Sequence, residues 1–462
     1  GHLDGNLPVY RFRLPVQNFA VPNTIGVELQ NVSWRSTQDY ATTDITFRDA
    51  KVNHGLVYIR KQAFVEIELI PLRNRDGNVE RIENFDVLVS YSIEDKTQLK
   101  SAFAEEYAPN SVLSDGRWLK IAVNQTGVHM IPYSTLSSWG FSSPANVSVF
   151  GFGGQMVPQM NSADRPDDLP QVAVWHHNNN LFFFANGPVS WQWNDNIKMF
   201  THTLHYYSEK AFYFLTENAS QTKQVATLPA ENRAPNNEVT HFDERVYHES
   251  ELVNIISSGR KWYGERFIVS ERMERNFEFQ FPSRDVTHPV KINTAVVGRS
   301  SAVNSFEYYV NDAAAPSLVL MVPAVSLSGS DSFFAQEQSG TASFSSGSQN
   351  INIRLRYTDQ ASTSFGRLDY ITLNARSLLQ MHGSQLLFRD YESGKAGNIS
   401  RFTLGNALPE TRVWDVTNIL SPADIPSTIS NNRLEFGAES AVWKVGLYNM
   451  FFLLAVSMVF FF

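Results

Sequence analysis

Paired histidines are the first residues in this sequence whose type and spacing suit chemistry. His176 and His177 are adjacent, and His202 and His205 lie three positions apart. That spacing presents two imidazoles together on a helix, whereas on a strand the two rings point to opposite faces. Because the surrounding THTLHYY is β-like and no carboxylates stand nearby at ligand spacing, we expect hydrogen-bonded histidines and no zinc site.

Two short segments resemble ligand-binding loops. Asp164, Asp167 and Asp168 offer the oxygens that calcium prefers, but the alternation and closing glutamate of a dedicated calcium loop are missing. The sequence FGFGG at 150–154 lacks the G-x-G-x-x-G spacing, the βαβ unit and the acidic ribose ligand of a nucleotide site. We therefore expect a solvated turn in which Asp168 binds backbone amides, and a glycine bulge or tight corner.

Two tryptophans could contact sugars. Trp191 and Trp193 lie two apart, which places both on one face of a strand. An exposed pair would stack on a saccharide, and a covered pair would pack into a core; we favour the core.

Nucleophilic catalysis is restricted by the composition. The sequence has no cysteine, so it has no disulfide, no thiolate metal site and no cysteine nucleophile. It also has no Gly-x-Ser-x-Gly elbow of a serine hydrolase. We assign no catalytic, cofactor-binding or metal-binding residue and expect no cofactor.

Length and charge exclude further classes. The 462 residues have 38 Lys+Arg against 46 Asp+Glu, a net charge of -8 at pH 7. This charge argues against a nucleic-acid partner, since phosphate binding needs a basic surface. With 43% hydrophobic and 18% charged residues, the chain can build cores and is not disordered.

Strand periodicity dominates the elements that must position any site. Apolar and polar residues alternate in 65–69, in 87–93 and most clearly in 351–357, INIRLRY. Such alternation is typical of half-buried antiparallel strands, and Asp76-Gly77-Asn78 is typical of a hairpin turn. The sequence therefore predicts a mostly β chain of several antiparallel sandwich-like or barrel-like modules.

Helices are expected at only two places. The segment 132–139, followed by Gly140, predicts a short helix with a glycine C-cap. Residues 251–258, followed by Gly259, have apolar residues at helical spacing and predict a second, weaker one. The Ser/Gly-rich stretch 326–350 predicts a long mobile loop.

Composition shifts divide the chain into modules, with the proline-rich segment 229–235 as a linker. We predict β modules at 1–112, 113–228 (aromatic-rich) and 238–420, a linker at 421–441 and an apolar tail at 442–462.

The apolar tail has two interpretations. Residues 445–462 carry no charge, and as a helix they would cover roughly 27 Å, enough for a bilayer core. The tail is then a membrane anchor or the spurious end of an interrupted reading frame. We favour the second, because no basic flank follows Lys444 to set a topology.

An ordered set of segments is more specific than any single motif. It resembles the region before the catalytic domain in PorU-like sortases of the type IX secretion system, a branch of the gingipain-type cysteine peptidases of Bacteroidetes. The segments are GRWLKI (116–121), GV (127–128), VFGFGG (149–154), DDLP (167–170), LFFFANGP (181–188), Trp191, FTH (200–202), YFLT (213–216), SGRKWYGE (258–265) and VWDVT (413–417).

The resemblance implies a cell-surface enzyme held at the outer membrane by type IX secretion proteins. Such an enzyme removes the C-terminal signal of secreted cargo and attaches the cargo to anionic lipopolysaccharide. It implies a cysteine thiolate, assisted by histidine, in a caspase-like α/β domain that follows 413–417. Here that domain does not follow and no cysteine exists, so we carry over no catalytic residue and expect no peptidase activity from this chain.

Three hypotheses remain. The chain is the non-catalytic N-terminal part of a PorU-like sortase, with a pro-segment-like first module; or an independent surface adhesin or glycan-binding protein of β-sandwiches; or a carboxylate-based hydrolase acting in the second module. Buried tryptophans at Trp118, Trp191, Trp262 and Trp414 favour a scaffold, and an exposed aromatic platform favours the adhesin. The hydrolase needs two carboxyl groups within about 10 Å of each other across a cleft.

Overall fold

The computed structural model divides into two compact units, residues 1–109 and 110–462. Strands dominate both units, which confirms the predicted mostly β fold class. The finer module boundaries stay predictions. The structure describes residues 2–4, 7–15, 24–41, 45–59, 62–92, 108–158, 160, 163, 165–257, 259, 261–268, 272–328, 333–359, 364–395, 397–439 and 451–454.

The first unit contains two antiparallel sheets, ordered β1-β2-β5-β4 and β3-β7-β6. In β5 Val65, Ile67 and Leu69 are buried, while Glu66 and Glu68 lie on the other face, as their alternation predicts. The strands are β1 (His2–Asp4), β2 (Leu7–Pro15), β3 (Thr24–Ser36), β4 (Lys51–Ile59), β5 (Gln62–Ile70), β6 (Leu72–Arg75) and β7 (Asn78–Ser92).

A two-residue turn joins β6 to β7. Asp76 has φ 52° and Gly77 has φ 86°, both in the left-handed region that a type I′ hairpin turn requires. Asparagine, aspartate and glycine tolerate that conformation, so the turn predicted at 76–78 is confirmed. Of the alternation predicted at 87–93, Val87 and Val89 are half-buried on β7, and Ile93 lies outside the described residues.

The second unit begins with three small sheets, β11-β10-β16-β8, β12-β13-β9 and the hairpin β14-β15. Their core includes Val149, Leu181 and Leu215, each fully buried. The strands are β8 (Leu119–Val123), β9 (Gly127–Pro132), β10 (Ser148–Phe150), β11 (Gln171–Val172), β12 (Val174–His177), β13 (Asn180–Ala185), β14 (Val189–Asn194), β15 (Met199–Leu204), β16 (Ala211–Thr216) and β17 (Ala226–Thr227).

The predicted helix after β9 is confirmed. Helix α1 is Tyr133–Ser138, and two single 3₁₀ turns lie at Val112–Ser114 and Pro144–Asn146. Gly140 follows α1 with φ 90°, and its N–H bonds to the carbonyl of Ser137 at 2.8 Å. A glycine in the left-handed region therefore ends the helix, as glycine C-caps do.

The rest of the second unit adds four sheets, ordered β19-β27-β22-β25 (with β20 also on β27), β21-β26-β23-β24, β18-β29-β33-β32 and β17-β31-β30-β34-β28. The strands are β18 (Asn237–Val239), β19 (His241–Glu249), β20 (Arg266–Ile268), β21 (Glu274–Gln280), β22 (Val290–Arg299), β23 (Asn304–Val310), β24 (Leu318–Val322), β25 (Gln336–Phe344), β26 (Asn350–Thr358), β27 (Phe365–Leu378), β28 (Gln385–Phe388), β29 (Ile399–Leu404), β30 (Arg412–Asp415), β31 (Ala423–Ile425), β32 (Thr428–Ser430), β33 (Arg433–Glu439) and β34 (Phe451–Leu454).

The first two of these sheets pack face to face as a β-sandwich. In β26 Ile351, Ile353, Leu355 and Tyr357 are fully buried, and they share one core with the inner residues of β22 and β27. The polar residues between them face away, so the strand predicted at 351–357 is confirmed.

Two predicted elements are wrong. The stretch 326–350 is not one mobile loop, because Gln336–Phe344 forms strand β25, which pairs along its whole length with β22. Residues 251–257 form no helix, because Val253 pairs in an isolated bridge with Tyr263. In both places long-range backbone pairing overrides a weak local preference.

Four residues of the predicted apolar tail, Phe451–Leu454, form β34 between β28 and β30. Residues 442–450 and 455–462 lie outside the described residues, so both interpretations of the tail stay untested. Within the described part of the chain, no helix is long and apolar enough to cross a membrane.

Candidate functional site

Polar side chains form rows across the outer face of the sheet β19-β27-β22-β25, on the side away from the sandwich core. One row consists of Tyr247, Thr372, Asn293 and Thr341, at paired positions on the four strands in order. The neighbouring rows are Arg245, Asn374, Lys291 and Ser343, and Glu249, Tyr370, Ala295 and Ser339. A polar outer face of this width needs either water or a polar cover.

The β14-β15 hairpin covers part of this face. Asn374 binds the backbone of Phe200 on both sides, accepting from its N–H at 2.7 Å and donating to its carbonyl at 2.9 Å. Lys291 Nζ donates to the carbonyl of Lys198 at 2.7 Å. The guanidinium of Arg245 lies 4.7 Å from the ring centre of Phe200, a cation–π contact. Side chains of the sheet therefore bind the backbone of β15 along the edge that is not paired with β14.

His202 is the buried polar centre of the hairpin, with a side chain that is 1% exposed. Its Nε2 lies 2.6 Å from Glu249 Oε2, and its Nδ1 lies 2.8 Å from Thr372 Oγ1. Burial lowers the pKa of His202 to about 4, although the charge of Asp369 opposes this shift. The ring is neutral at pH 7: Nε2–H donates to the carboxylate, and Nδ1 accepts from the hydroxyl.

The order hydroxyl, imidazole, carboxylate is that of a nucleophilic triad, but the geometry does not support catalysis. Thr372 is 0% exposed, so its hydroxyl presents almost no surface to a substrate carbonyl, even though the residue lies at the wall of the cavity described below. An imidazole with a pKa of about 4 is also a weak base for activating an alcohol at neutral pH. The three groups therefore position the hairpin on the sheet.

An acidic cluster lies beside this histidine at one end of the outer face. Lys261 Nζ binds Glu337 at 2.8 Å and Asp369 at 3.2 Å, and the hydroxyl of Tyr263 donates to Glu337. Burial raises the pKa of Asp369 to about 6, against the lowering effect of Lys261. The single ammonium of Lys261 thus forms salt bridges with two carboxylates. The cluster therefore has more acidic than basic groups.

Two more carboxyl groups of the cluster share a hydrogen bond. Burial, together with the bond to Glu249 and the charge of Glu249, raises the pKa of Glu251 to about 7. Burial also raises the pKa of Glu249. Carboxyls in direct contact are closer than the gap of about 5 Å or more that glycoside hydrolysis needs, so this pair does not fit that reaction.

A cavity of about 520 Å³ opens between the hairpin and the sheet, next to His202. The sheet contributes Asn293, Thr341, Ser339, Gly340, Tyr370 and Thr372, and the hairpin contributes Asn194, Ile197, Thr201 and His202. Since no Asp, Glu, Lys or Arg lines the cavity, its surface is polar but uncharged.

The two tryptophans of β14 contact other aromatic side chains. Trp191 contacts His202 and Tyr247, with ring centres 5.4 Å and 5.8 Å apart. Trp193 stacks on Tyr391 at 3.9 Å. The predicted shared face is confirmed; both rings contact other aromatic rings, but they are half-buried and belong to no core cluster of the described residues.

The other tryptophans differ in exposure. Trp414 is 1% exposed and Trp262 is 38% exposed, while Trp118 is half-buried with its ring 5.1 Å from Phe150. These residues therefore form no exposed aromatic platform within the described chain.

The other three histidines of the paired motifs make ordinary hydrogen bonds or ring contacts. His176 accepts from the hydroxyl of Tyr133 at 2.8 Å and donates to the carbonyl of Val147 at 3.1 Å; His177 stacks on Trp175. His205 accepts from the backbone N–H two residues on. Among the described residues, no group of three or more His, Asp or Glu side chains is placed to hold a metal ion.

Asp168 and the glycine segment have structural roles. Asp168 accepts hydrogen bonds from Ser111 and from the N–H groups of Val112 and Leu169, as expected. Asp164 lies outside the described residues. Gly153 has φ 81°, and a Cβ there would lie 2.8 Å from both Tyr213 Oη and Asn186, so the segment is a tight corner.

The sequence did not indicate Glu249, Asp369, Lys261 or Glu337. His202 and Glu249 are 47 positions apart, so the sequence does not show that they are in contact. The contact forms because the hairpin packs on the sheet that contains β19. Charged residues in the otherwise apolar alternation of β19 and β27 are the only local signal of a buried polar face.

Comparison with known proteins identifies the fold. No family model matches the sequence, and no curated protein matches it. Among solved structures, dimeric latent PorU from Porphyromonas gingivalis superimposes with a TM-score of 0.69 and 23% identity, over 78% of this chain and 34% of that chain. The chain therefore has a PorU-like fold and spans about a third of that protein's length.

Two other solved structures align far less well. A carbohydrate-binding module in complex with calcium and xylotriose has a TM-score of 0.18 and 8% identity, over 29% of this chain and 99% of that chain. An insecticidal delta-endotoxin from Bacillus thuringiensis has a TM-score of 0.20 and 9% identity, over 50% and 41%. Neither alignment supports a functional argument.

Proposed function

We propose that this chain is the β-rich, non-catalytic part of a PorU-like sortase of the type IX secretion system. The observation that carries the proposal is the superposition on PorU over 78% of this chain. In such a sortase a cysteine peptidase cleaves the C-terminal signal of secreted cargo and attaches the cargo to anionic lipopolysaccharide. The role of these residues is to scaffold or shield that peptidase and to dock its partners.

The chemistry of the chain agrees with a scaffold. A cysteine peptidase acts through a thiolate, and this sequence has no cysteine. The hydroxyl of Thr372, which lies in line with His202 and Glu249, is fully buried. Acyl transfer therefore needs a nucleophile that these residues do not supply.

We further propose a location on the extracellular face of the outer membrane, with type IX secretion proteins and cargo as partners. The net charge of -8 disfavours direct binding of an anionic polysaccharide. Contact with lipopolysaccharide is therefore assigned to the catalytic region of the sortase.

The test has two steps. The purified chain is incubated with a fluorogenic peptide that carries a type IX cargo signal, with full-length PorU as the positive control. We expect cleavage by PorU only, and its loss after thiol alkylation. Thiol-dependent cleavage by the purified chain would contradict the proposal.

In the second step the chain is mixed with a separately produced peptidase domain of a PorU-like sortase. We expect a complex in size-exclusion chromatography with light scattering, and none with a cysteine peptidase from another family. If the chain forms no complex with the PorU-like peptidase domain, a scaffold role is wrong.

The adhesin hypothesis is less well supported. An aromatic platform for glycans needs exposed rings side by side, whereas Trp191 packs on Tyr247 of β19 and Trp193 stacks on Tyr391. Tyr207, which follows β15, is 83% exposed, but its exposed aromatic neighbour, Tyr206, lies edge-on to it and the two rings form no flat platform.

A further inference from the structure

The cavity under the β14-β15 hairpin has features that a scaffold does not require. Its volume of about 520 Å³ lies within the range of small-molecule sites, roughly 300–1,000 Å³. A hairpin held only to stabilise the sheet would pack onto it without such a space. The cavity is therefore large enough to hold a small molecule.

Hydroxyl and amide groups with unused hydrogen-bonding capacity line the sheet side of the cavity. Ser339 and Thr341, on the edge strand β25, make no side-chain hydrogen bond to any described residue. Asn293, 8% exposed, donates to the hydroxyl of Tyr370 at 3.2 Å, and no described residue binds its amide oxygen. Hydroxyls and amides both donate and accept, so these groups can bind a ligand with several hydroxyls.

The lack of charged side chains in the lining disfavours ionic ligands. No ionised side chain lines the cavity, and a charged group placed there would lose its hydration without a partner. Glu249 binds His202 at the cavity wall, so its carboxylate disfavours an anion in particular. Ile197 and Tyr370 supply apolar surface on two sides, which suits the C–H face of a sugar ring.

From this lining we propose that the cavity binds one neutral saccharide unit, held by Asn293, Ser339 and Thr341. A peptide is a poorer fit, because an extended chain needs a row of backbone partners, and the cavity offers side chains over the face of a sheet. The site differs from the aromatic platform of an adhesin, since it is a half-open space lined mainly by polar groups. The proposal does not depend on the sortase assignment.

The experiment is saturation-transfer-difference NMR on the full chain. The probes are the methyl glycosides of glucose, galactose and mannose, and N-acetylglucosamine, with glucuronate as a charged comparison and a type IX cargo-signal peptide as the alternative ligand. We expect signal from at least one neutral sugar and little or none from glucuronate.

Matched variants locate the binding. Ser339→Tyr fills the cavity from an exposed position, whereas Ser343→Tyr places the same ring on the same face of β25, outside the cavity. We expect Ser339→Tyr to weaken binding at least about ten-fold and Ser343→Tyr to leave it unchanged. Thr341→Val, which removes a hydroxyl at nearly constant volume, should weaken binding with the fold intact.

Three results would overturn the proposal: no neutral sugar binds, Ser339→Tyr and Thr341→Val both bind as well as wild type, or the cargo peptide alone binds in the cavity. The circular dichroism spectrum of each variant distinguishes lost binding from lost folding. Failure of the sortase assays leaves these outcomes unaffected.

Discussion

The two faces of strand β27 are both buried, but they carry opposite kinds of side chain. On the inner face Ile371 and Leu373 of β27 are 0% exposed among other apolar residues. On the outer face Thr372 and Asn374 of the same strand are 0% and 7% exposed, beneath the hairpin. Burial of a strand face therefore does not require apolar residues, provided each polar group has a partner.

The two faces also stabilise the protein differently. The inner face gains free energy from apolar area removed from water, and loses it when a cavity forms. The outer face gains only about 1 kcal/mol per hydrogen bond, yet breaking one partner leaves a buried group unsatisfied. Substitutions of adjacent residues of β27 should therefore destabilise the protein for different physical reasons.

Ile371→Ala tests the inner face and should have the largest effect. We expect a loss of about 2–5 kcal/mol in the free energy of unfolding, because the removed atoms leave a cavity in the core. Urea denaturation measures the loss. Val319→Ala, at a residue that is 42% exposed on β24, is the control and should change stability by less than about 0.5 kcal/mol.

Asn374→Ala tests the outer face. It removes both bonds to the backbone of Phe200, a residue that is 0% exposed, so about 2–3 kcal/mol should be lost through unsatisfied groups. Hydrogen exchange of the Phe200 amide should also accelerate. Asn350→Ala, at an exposed position of β26, is the control and should change neither stability nor exchange. If the Phe200 amide exchanges at the same rate in Asn374→Ala as in wild type, Asn374 does not hold the hairpin.

The pH dependence of His202 gives a smaller effect. Its pKa is about 4 in the folded state and near 6.5 when unfolded, so between these values only the unfolded chain binds the proton. The stability contributed by the neutral ring is present above about pH 6.5 and is lost as the pH falls towards 4.

We therefore expect wild type to lose on the order of 2 kcal/mol relative to His202→Gln between pH 7 and pH 4.5. Denaturation of both proteins at the two pH values measures this difference. A difference that does not change with pH would mean that folding leaves the pKa of His202 unshifted.

The smallest effect is expected for Glu251→Gln. The pKa of Glu251 is raised to about 7, so above that pH Glu249 and Glu251 are both ionised and repel each other. The variant should be more stable than wild type at pH 8.5, by less than about 1 kcal/mol, and this gain should disappear below about pH 4, where Glu251 is protonated in both the folded and the unfolded chain. Thermal unfolding measures both, with Glu278→Gln on exposed β21 as the control for loss of one charge.

Local patterns predicted much of the fold. The alternation in 351–357, the turn at 76–78 and the helix before Gly140 are confirmed, because each depends on residues close in sequence. The predictions at 251–258 and 326–350 were wrong, since Tyr263 and β22 supply the backbone partners there. Weak local preference gives way where a distant strand offers hydrogen bonds.

The sequence by itself determined the β fold class and the absence of a thiol nucleophile, since periodicity and composition are properties of the chain alone. Only the tertiary structure decided which polar residues meet. Phe200 and Asn374 are 174 positions apart, and His202 and Thr372 are 170 apart, and both pairs form because the hairpin lies on the outer face of one sheet. Alternation marks a strand face as polar, but the packing of another element on that face decides whether it contacts water or encloses a site.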